Sequence, residues 1–238
     1  NRQHQRLERM LQVVAMDGPV GVGKSTVARQ VAGLLKFRHL DTGAMYRSVA
    51  WKVMQLSDAP SPGDETVARV AKDLRIEMPD DGRILADGTD VTELIRDEKV
   101  SQFVPVVADN LAVREALVRE QRRLGQERPA VLEGRDIGTV VFPDAACKIF
   151  LDASPRVRAQ RRVAQLRKNG TSPDKEEVYR NLLHRDARDR AREWGALRIA
   201  DNAVIMDTTE FPEALVVELI ASLVRQNPAF QESLSPAS

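Results

Sequence analysis

Nine consecutive residues carry the strongest chemical signal in this chain: Gly18, Pro19, Val20, Gly21, Val22, Gly23, Lys24, Ser25 and Thr26. They fill the pattern G-x-x-x-x-G-K-[ST] without a gap. Glycine tolerates backbone angles that other residues avoid, so successive N–H groups can turn into one concavity and cradle phosphate oxygens. The helix expected from Lys24 adds partial positive charge at its N-terminus. Lys24 is placed to reach the β- and γ-phosphates, and Ser25 to hold Mg²⁺. A dinucleotide-binding turn does not fit, because the run from Gly21 to Thr26 lacks the third glycine. The chain also has no Asn-Lys-x-Asp guanine-reading element and no Asp-Phe-Gly. His184-Arg185-Asp186 imitates the start of a protein-kinase catalytic loop, but Ala191 stands where Asn is required.

Two further clusters follow short apolar runs. In Asp41-Thr42-Gly43-Ala44-Met45-Tyr46-Arg47, Thr42 is expected to cap a helix whose first turns carry Tyr46 and Arg47. An arginine there could clamp a second phosphate group. Glu133, Gly134, Arg135 and Asp136 set two carboxylates and a guanidinium at the end of another run. With the glycine-rich loop, these clusters describe a site with two anion-holding ends.

A third feature is a basic stretch. Residues 156–198 hold 13 Lys/Arg against 6 Asp/Glu, in a chain whose formal net charge is only +1. Arg158, Arg161 and Arg162 fall on one expected helix, and Arg185, Arg188, Asp189 and Arg192 on the next. Arg158 and Arg162 share a face by their spacing, as do Arg185, Asp189 and Arg192. Asn169-Gly170-Thr171-Ser172-Pro173 between them reads as a hinge-like turn. An arginine-rich helical pair beside a phosphate loop suggests a lid that closes over phosphates and excludes water. The other use of such a basic segment is nucleic-acid binding by an ATPase module. Only Tyr179 and Trp194 offer stacking surfaces within it, which weakens that reading.

The elements that must position these groups follow from periodicity. Near-continuous apolar runs at 12–16, 37–40, 130–133, 147–151 and 203–206 read as strands covered on both faces. They stop at or beside Asp17, Asp41, Glu133, Asp152 and Asp207. Helical patterns lie near 24–35, 44–57, 110–124, 155–168, 174–193 and 212–225. This alternation predicts an α/β fold with a five-stranded parallel sheet flanked by helices, binding ligands at the carboxyl ends of its strands. Segment 60–100 breaks the pattern and reads as antiparallel hairpins with Asp-Gly turns, a small insertion.

Composition sets outer bounds. The 238 residues are 42% apolar and 30% charged, as in an ordinary globular protein. No apolar run approaches a membrane span. The polar N-terminal residues lack a signal-peptide pattern, so the cytoplasm is the expected location. Cys147 is the only cysteine and reads as a core residue, and the three histidines show no zinc spacing. His39 reads as structural.

Taken together, these blocks resemble the bacterial cytidylate kinase family, a branch of the P-loop nucleoside-monophosphate kinases. The resemblance rests on the residue 18–26 loop, Leu40-Asp-Thr-Gly-Ala-Met-Tyr-Arg47, Val113-Arg-Glu-Ala-Leu117, Glu133-Gly-Arg-Asp-Ile-Gly-Thr-Val-Val-Phe-Pro143 and Arg185-Asp-Ala-Arg-Asp-Arg-Ala-Arg192. It implies a kinase domain over 11–224, with core 11–59 and 101–224, a monophosphate-binding insertion near 60–100 and a lid near 155–192. Residues 1–10 and 225–238 would be flexible termini. It implies transfer of the γ-phosphoryl group of ATP to CMP and dCMP with Mg²⁺, by a monomer that uses neither nucleic acid nor membrane. Lys24, Arg47, Arg135, Arg158 and Arg162 would neutralise the transferring group. Arg47 and Arg135 would hold the CMP phosphate; Thr42, Arg114, Asp136 and Arg192 would read cytosine. Arg185 and Asp189 would contact the ribose. Tyr46 and Gly134 would complete the CMP site, and Glu133 would join Ser25 in orienting the metal. The chain departs from the family at Pro105, where a sugar-contacting Ser is common, which bears on the choice between ribose and deoxyribose.

Overall fold

A computed structural model describes residues 12–56, 63–168 and 170–234. The expected polar extension over 1–9, Asn169 of the inter-helix turn, residues 60–62 of the insertion and the tail end 235–238 lie outside the described residues. The chain divides into two compact units, Asn1–His39 with Gly125–Ser238, and Leu40–Leu124.

The first unit is built on the sheet. Its strands are β1 (Val13–Asp17), β2 (Arg38–Asp41, whose last two residues belong to the other unit), β6 (Ala130–Gly134), β7 (Cys147–Asp152) and β8 (Val204–Asp207). The sheet order is β2-β6-β1-β7-β8. The pairings of β1 with β6 and β7, and of β7 with β8, are parallel. β1 and β6 bury all their residues, as strands between two helical layers must. β8 does not follow that expectation: Val204 and Ile205 are 43% and 57% exposed, because this strand closes the edge of the sheet. Register places Asp17 beside Gly134 and Met16 beside Glu133, so the acids that end the apolar runs collect at one edge.

Helix α1 (Lys24–Leu35) turns Val27, Ala28, Val31, Ala32 and Leu35 inward, one face of a 3.6-residue period. It packs on α8 (Glu213–Gln226). α6 (Pro155–Lys168) and α7 (Lys175–Ala191) pack on each other. Their connection is a closed helix cap: Gly170 has φ 81, and the N–H groups of Gly170 and Thr171 return to Arg167 O and Leu166 O at 3.0 and 3.1 Å. Residues 226–234 do not form a loose tail. A 3₁₀ turn, Pro228–Phe230, and α9 (Gln231–Leu234) carry it on. Phe230 is fully buried against Phe37, ring centroids 5.7 Å apart, and Asn227 donates to Ala146 O at 2.9 Å.

The second unit begins with the end of β2 and continues through α2 (Thr42–Leu56), α3 (Asp64–Asp73), β3 (Ile76–Glu77), β4 (Leu85–Ala86), β5 (Thr89–Asp90), a 3₁₀ turn (Leu94–Arg96), α4 (Glu98–Asp109) and α5 (Leu111–Gly125, all but its last residue). The expected hairpins exist as the antiparallel ladder β3-β4-β5. Asp87 and Gly88, with φ 49 and 76, make the tight turn between β4 and β5. They are only part of the insertion. α3 has Asp64 and Glu65 in its first turn and Lys72 in its last, a charge order that suits the helix dipole. α4 forms with Pro105 inside it, where proline offers no N–H to the carbonyl one turn earlier. Because α2 packs against both α3 and α4, the expected boundaries at 60 and 100 fall inside one unit.

Candidate active site

The glycine-rich loop bridges β1 and α1. Gly18, Gly21 and Gly23 all have positive φ, at 154, 76 and 93. A Cβ on Gly18 would also lie 2.2 Å from Leu151 O, so that position takes only glycine for reasons of space as well as angle. Lys24 is 6% exposed. Its ammonium folds back and donates to Gly18 O and Pro19 O, both at 2.7 Å. Burial, followed by the Arg135 charge, holds the Lys24 pKa well below the usual lysine value, against the opposing pull of Glu133, Asp17 and Asp189. The loop thus supplies its own acceptors for the buried ammonium.

Ser25, one residue into α1, donates its hydroxyl to Glu133 Oε2 at 2.7 Å. His39 Nε2 lies 2.9 Å from the other oxygen, Oε1. Glu133 is 3% exposed, near the end of β6. With its proton committed to Glu133, Ser25 Oγ presents lone pairs to a cation, and oxygen donors of this kind suit Mg²⁺. Among the described residues no cluster of three or more His, Cys, Asp or Glu could hold a metal unaided.

After β6 the chain makes a single π-helical turn, Ile137–Val141. The Asp17 carboxylate, at the end of β1, accepts the N–H groups of Ile137 and Gly138, both at 2.8 Å. Burial pushes the Asp17 pKa up to about 6, although these two bonds oppose the shift. This clamp fixes the backbone immediately after Arg135 and Asp136. Arg135 Nε donates to Asp189 Oδ2 at 2.9 Å, and Arg192 lies 2.7 Å from Oδ1. One buried aspartate on α7 therefore gathers two of the expected substrate arginines. Asp136 is buried at 6% exposure, while Arg185 is exposed.

The two arginines expected on a lid separate. Arg158 is 2% exposed and faces the similarly buried Asp186 at 2.7 Å. It also donates to Ala153 O and Val20 O, each at 2.9 Å. It fastens the glycine-rich loop to α6 and α7. Arg162, half-buried four residues on, donates to Gln165 Oε1 at 3.0 Å. Arg161 reaches Thr208, beyond β8, at 3.0 Å. Sequence reasoning missed Asp17, His39, Asp186 and Thr208, since their partners are remote in the chain.

In the second unit, Thr42 is buried as the first residue of α2, and the residue before it supplies a capping oxygen. Asp41 Oδ1 accepts the Ala44 N–H at 2.9 Å. Its other oxygen accepts from Arg47 Nη2 at 2.8 Å. Arg114 is 4% exposed; its guanidinium lies 5.7 Å from the Tyr46 ring centroid. Thus Thr42, Tyr46, Arg47 and Arg114 fall within one unit, and the loop, Glu133, Arg135, Asp136, Asp189 and Arg192 within the other.

Comparison with known proteins places the chain in a family. The family model described as cytidylate kinase matches residues 14–226. A cytidylate kinase of Caldanaerobacter subterraneus subsp. tengcongensis is 43% identical over 214 residues, covering 90% of this chain and 95% of that protein. One from Rhodopirellula baltica is 44% identical over 214 residues, covering 90% and 93%. Among solved structures, an uncharacterized protein from Eubacterium ventriosum superposes with TM-score 0.50 at 13% identity, covering 89% of this chain and 97% of that one; this likeness concerns the fold alone. The matched span takes in every candidate residue named above, and the chain belongs to the cytidylate kinase family.

Proposed function

We propose that this protein transfers the γ-phosphoryl group of ATP to CMP and dCMP, giving ADP with CDP or dCDP. The observation that carries the reading is the company kept by the phosphate loop. Within one compact unit, that loop joins a Ser25–Glu133 oxygen pair and an Arg135–Asp189–Arg192 cluster. Phosphoryl transfer asks the protein for positioning and charge neutralisation rather than covalent chemistry.

Backbone N–H groups over 18–26 hold the ATP phosphates, and Lys24 exchanges the carbonyls of Gly18 and Pro19 for phosphate oxygens. Ser25, oriented through Glu133, would hold Mg²⁺, which would offset the negative charge of the phosphates. Arg47 and Arg135 bind the CMP phosphate. Thr42, Tyr46, Arg114, Gly134, Asp136 and Arg192 surround the cytosine end, with Arg185 and Asp189 toward the sugar. Arg162 reaches the transferring group from α6, and Arg158 supports the loop from beneath. No tuned general base is required, since a phosphate acceptor is already ionised near neutral pH. No helix among the described residues is long and apolar enough to cross a membrane. The reading takes the enzyme as a cytoplasmic monomer whose partners are nucleotides.

The test is ADP formation from ATP and Mg²⁺ with CMP, dCMP, UMP, AMP, shikimate or single-stranded RNA, beside a no-acceptor control. Turnover with CMP and dCMP, and little hydrolysis without acceptor, is expected. Activity with RNA alone, or equal activity without any acceptor, refutes the reading.

A further inference from the structure

Glu133 is held from both sides: Ser25, which contacts one carboxylate oxygen, belongs to the glycine-rich loop, and His39, which contacts the other, does not. Ser25 Oγ donates to Oε2 at 2.7 Å; His39 Nε2 sits 2.9 Å from Oε1. His39 lies on β2, which neighbours β6 in the sheet. Leu40, the next residue, is 1% exposed, so alternation along the strand sends His39 to the opposite face. A carboxylate is an acceptor, so Nε2 must carry the hydrogen and donate it.

A glutamate side chain has several rotatable bonds, and a single hydrogen bond leaves the plane of its carboxylate free to turn. Two donors on opposite oxygens fix that plane. Its orientation matters because Ser25 has one proton. While Oε2 accepts that proton, the lone pairs of Oγ are left for a cation. If the carboxylate swings away, the hydroxyl loses its fixed acceptor and the lone pairs lose their direction. The His39 bond is the kind of outer contact that orients a metal's immediate ligands in other sites.

We propose that His39 is a positioning residue for the metal–nucleotide site, holding Glu133 so that Ser25 faces its lone pairs to Mg²⁺. This rests on the reading of Ser25 as the protein's metal ligand. His39 touches neither nucleotide nor metal. Its effect is therefore confined to the part of nucleotide affinity that Mg²⁺ supplies, whereas the backbone N–H groups of the loop bind phosphate without it.

The experiment measures the dissociation constant of a non-hydrolysable ATP analogue by calorimetry, in Mg²⁺ and in EDTA, with no acceptor present. The proteins are wild type, His39→Leu and His39→Gln. Wild type should bind more tightly in Mg²⁺ than in EDTA. His39→Leu, which keeps bulk but no donor, should lose about tenfold of that tightening, with its EDTA constant unchanged. His39→Gln, which can donate to Oε1, should recover most of it. If His39→Leu does not fold, His39→Asn, too short to reach Oε1, takes its place with the same expectation. Retention of the full Mg²⁺ effect in the donor-less variant overturns the proposal. So does equal loss in Mg²⁺ and EDTA, which would mark a structural role, or a wild type whose binding ignores Mg²⁺. Because no acceptor is used, the outcome is independent of CMP turnover, and failure of the acceptor panel is read separately.

Discussion

Asp17 and Asp189 are buried to a similar degree, at 3% and 4% exposure, yet their acidities move in opposite directions. Asp17, at the end of β1, is pushed up to about 6 by burial; its direct partners are two neutral backbone N–H groups. Asp189, on α7, also carries a burial penalty. There the Arg135 and Arg192 charges outweigh it and hold the carboxyl below its ordinary value. The charge of the partner decides, not depth. Asp17 spends its oxygens on orienting backbone, whereas Asp189 is a fixed negative charge that gathers guanidiniums. The first organises the loop after β6, and the second draws Arg135 and Arg192 together.

Asp186, one turn before Asp189, is the most severe case. Its carboxylate and the Arg158 guanidinium are both 2% exposed and 2.7 Å apart. Removing one member leaves the other as an uncompensated buried charge. Asp186→Ala should therefore cost about 3–5 kcal/mol of stability, read by urea unfolding. KM for ATP and CMP should be altered alike, if at all. A double-mutant cycle with Arg158→Met should return a coupling of about 2 kcal/mol or more. Additive single effects would mean that Arg158 is held by Ala153 O and Val20 O alone.

The Asp17 contrast is testable through pH. The native state keeps the Asp17 proton to about pH 6, while the unfolded chain releases it near 3.8. This group's contribution is thus greatest at low pH and is lost as pH rises through 6. Asp17→Asn carries no such titration. The unfolding free energies of Asp17→Asn and wild type should diverge from each other by roughly 2–3 kcal/mol between about pH 4 and 7. A constant difference across that range would show that Asp17 is ionised in the fold throughout.

Asp189→Ala probes the other arm. With Arg135 and Arg192 only 22% and 12% exposed, both guanidiniums lose their organiser. KM for CMP should rise about tenfold, the effect of one lost charge-assisted contact, with little change in KM for ATP. An equal rise for both substrates would move Asp189 out of the acceptor site.

These acids also mark how far sequence reading reaches. The loop over 18–26 was fully legible, because its chemistry depends on contiguous residues and its glycines are required by backbone angle. The five strands were legible to within a residue, because each carries an apolar run; burial on both faces accounts for it in β1 and β6, whereas β8 keeps its run at an exposed edge. Asp17 was visible only as a strand end; its partners lie 120 and 121 residues away, brought near by a sheet order that no local pattern encodes. Arg158 and Arg162 share a helical face by spacing, but periodicity does not tell which arginine meets Asp186 in the interior. The helix Glu98–Asp109 was hidden by its own Pro105, and Phe230 by its place in a polar tail.

Pro105 supplies the smallest expected effect. It stands inside α4, half-buried, where the family resemblance expects a sugar-contacting Ser. Proline carries neither a hydroxyl nor an N–H. Pro105→Ser should restore one helical hydrogen bond and offer one hydroxyl to a ribose, worth about 1 kcal/mol if it forms one bond. On that basis the ratio of kcat/KM for CMP over dCMP should rise about fivefold, with turnover on dCMP unchanged and a small gain in thermal stability. Asp189→Ala, measured on the same pair of acceptors, should lower that ratio, because it removes a proposed sugar contact without touching α4. If serine at 105 leaves the ratio where it was while Asp189→Ala collapses it, ribose is read from α7 alone, and proline at 105 is a helix substitution without consequence for the choice of sugar.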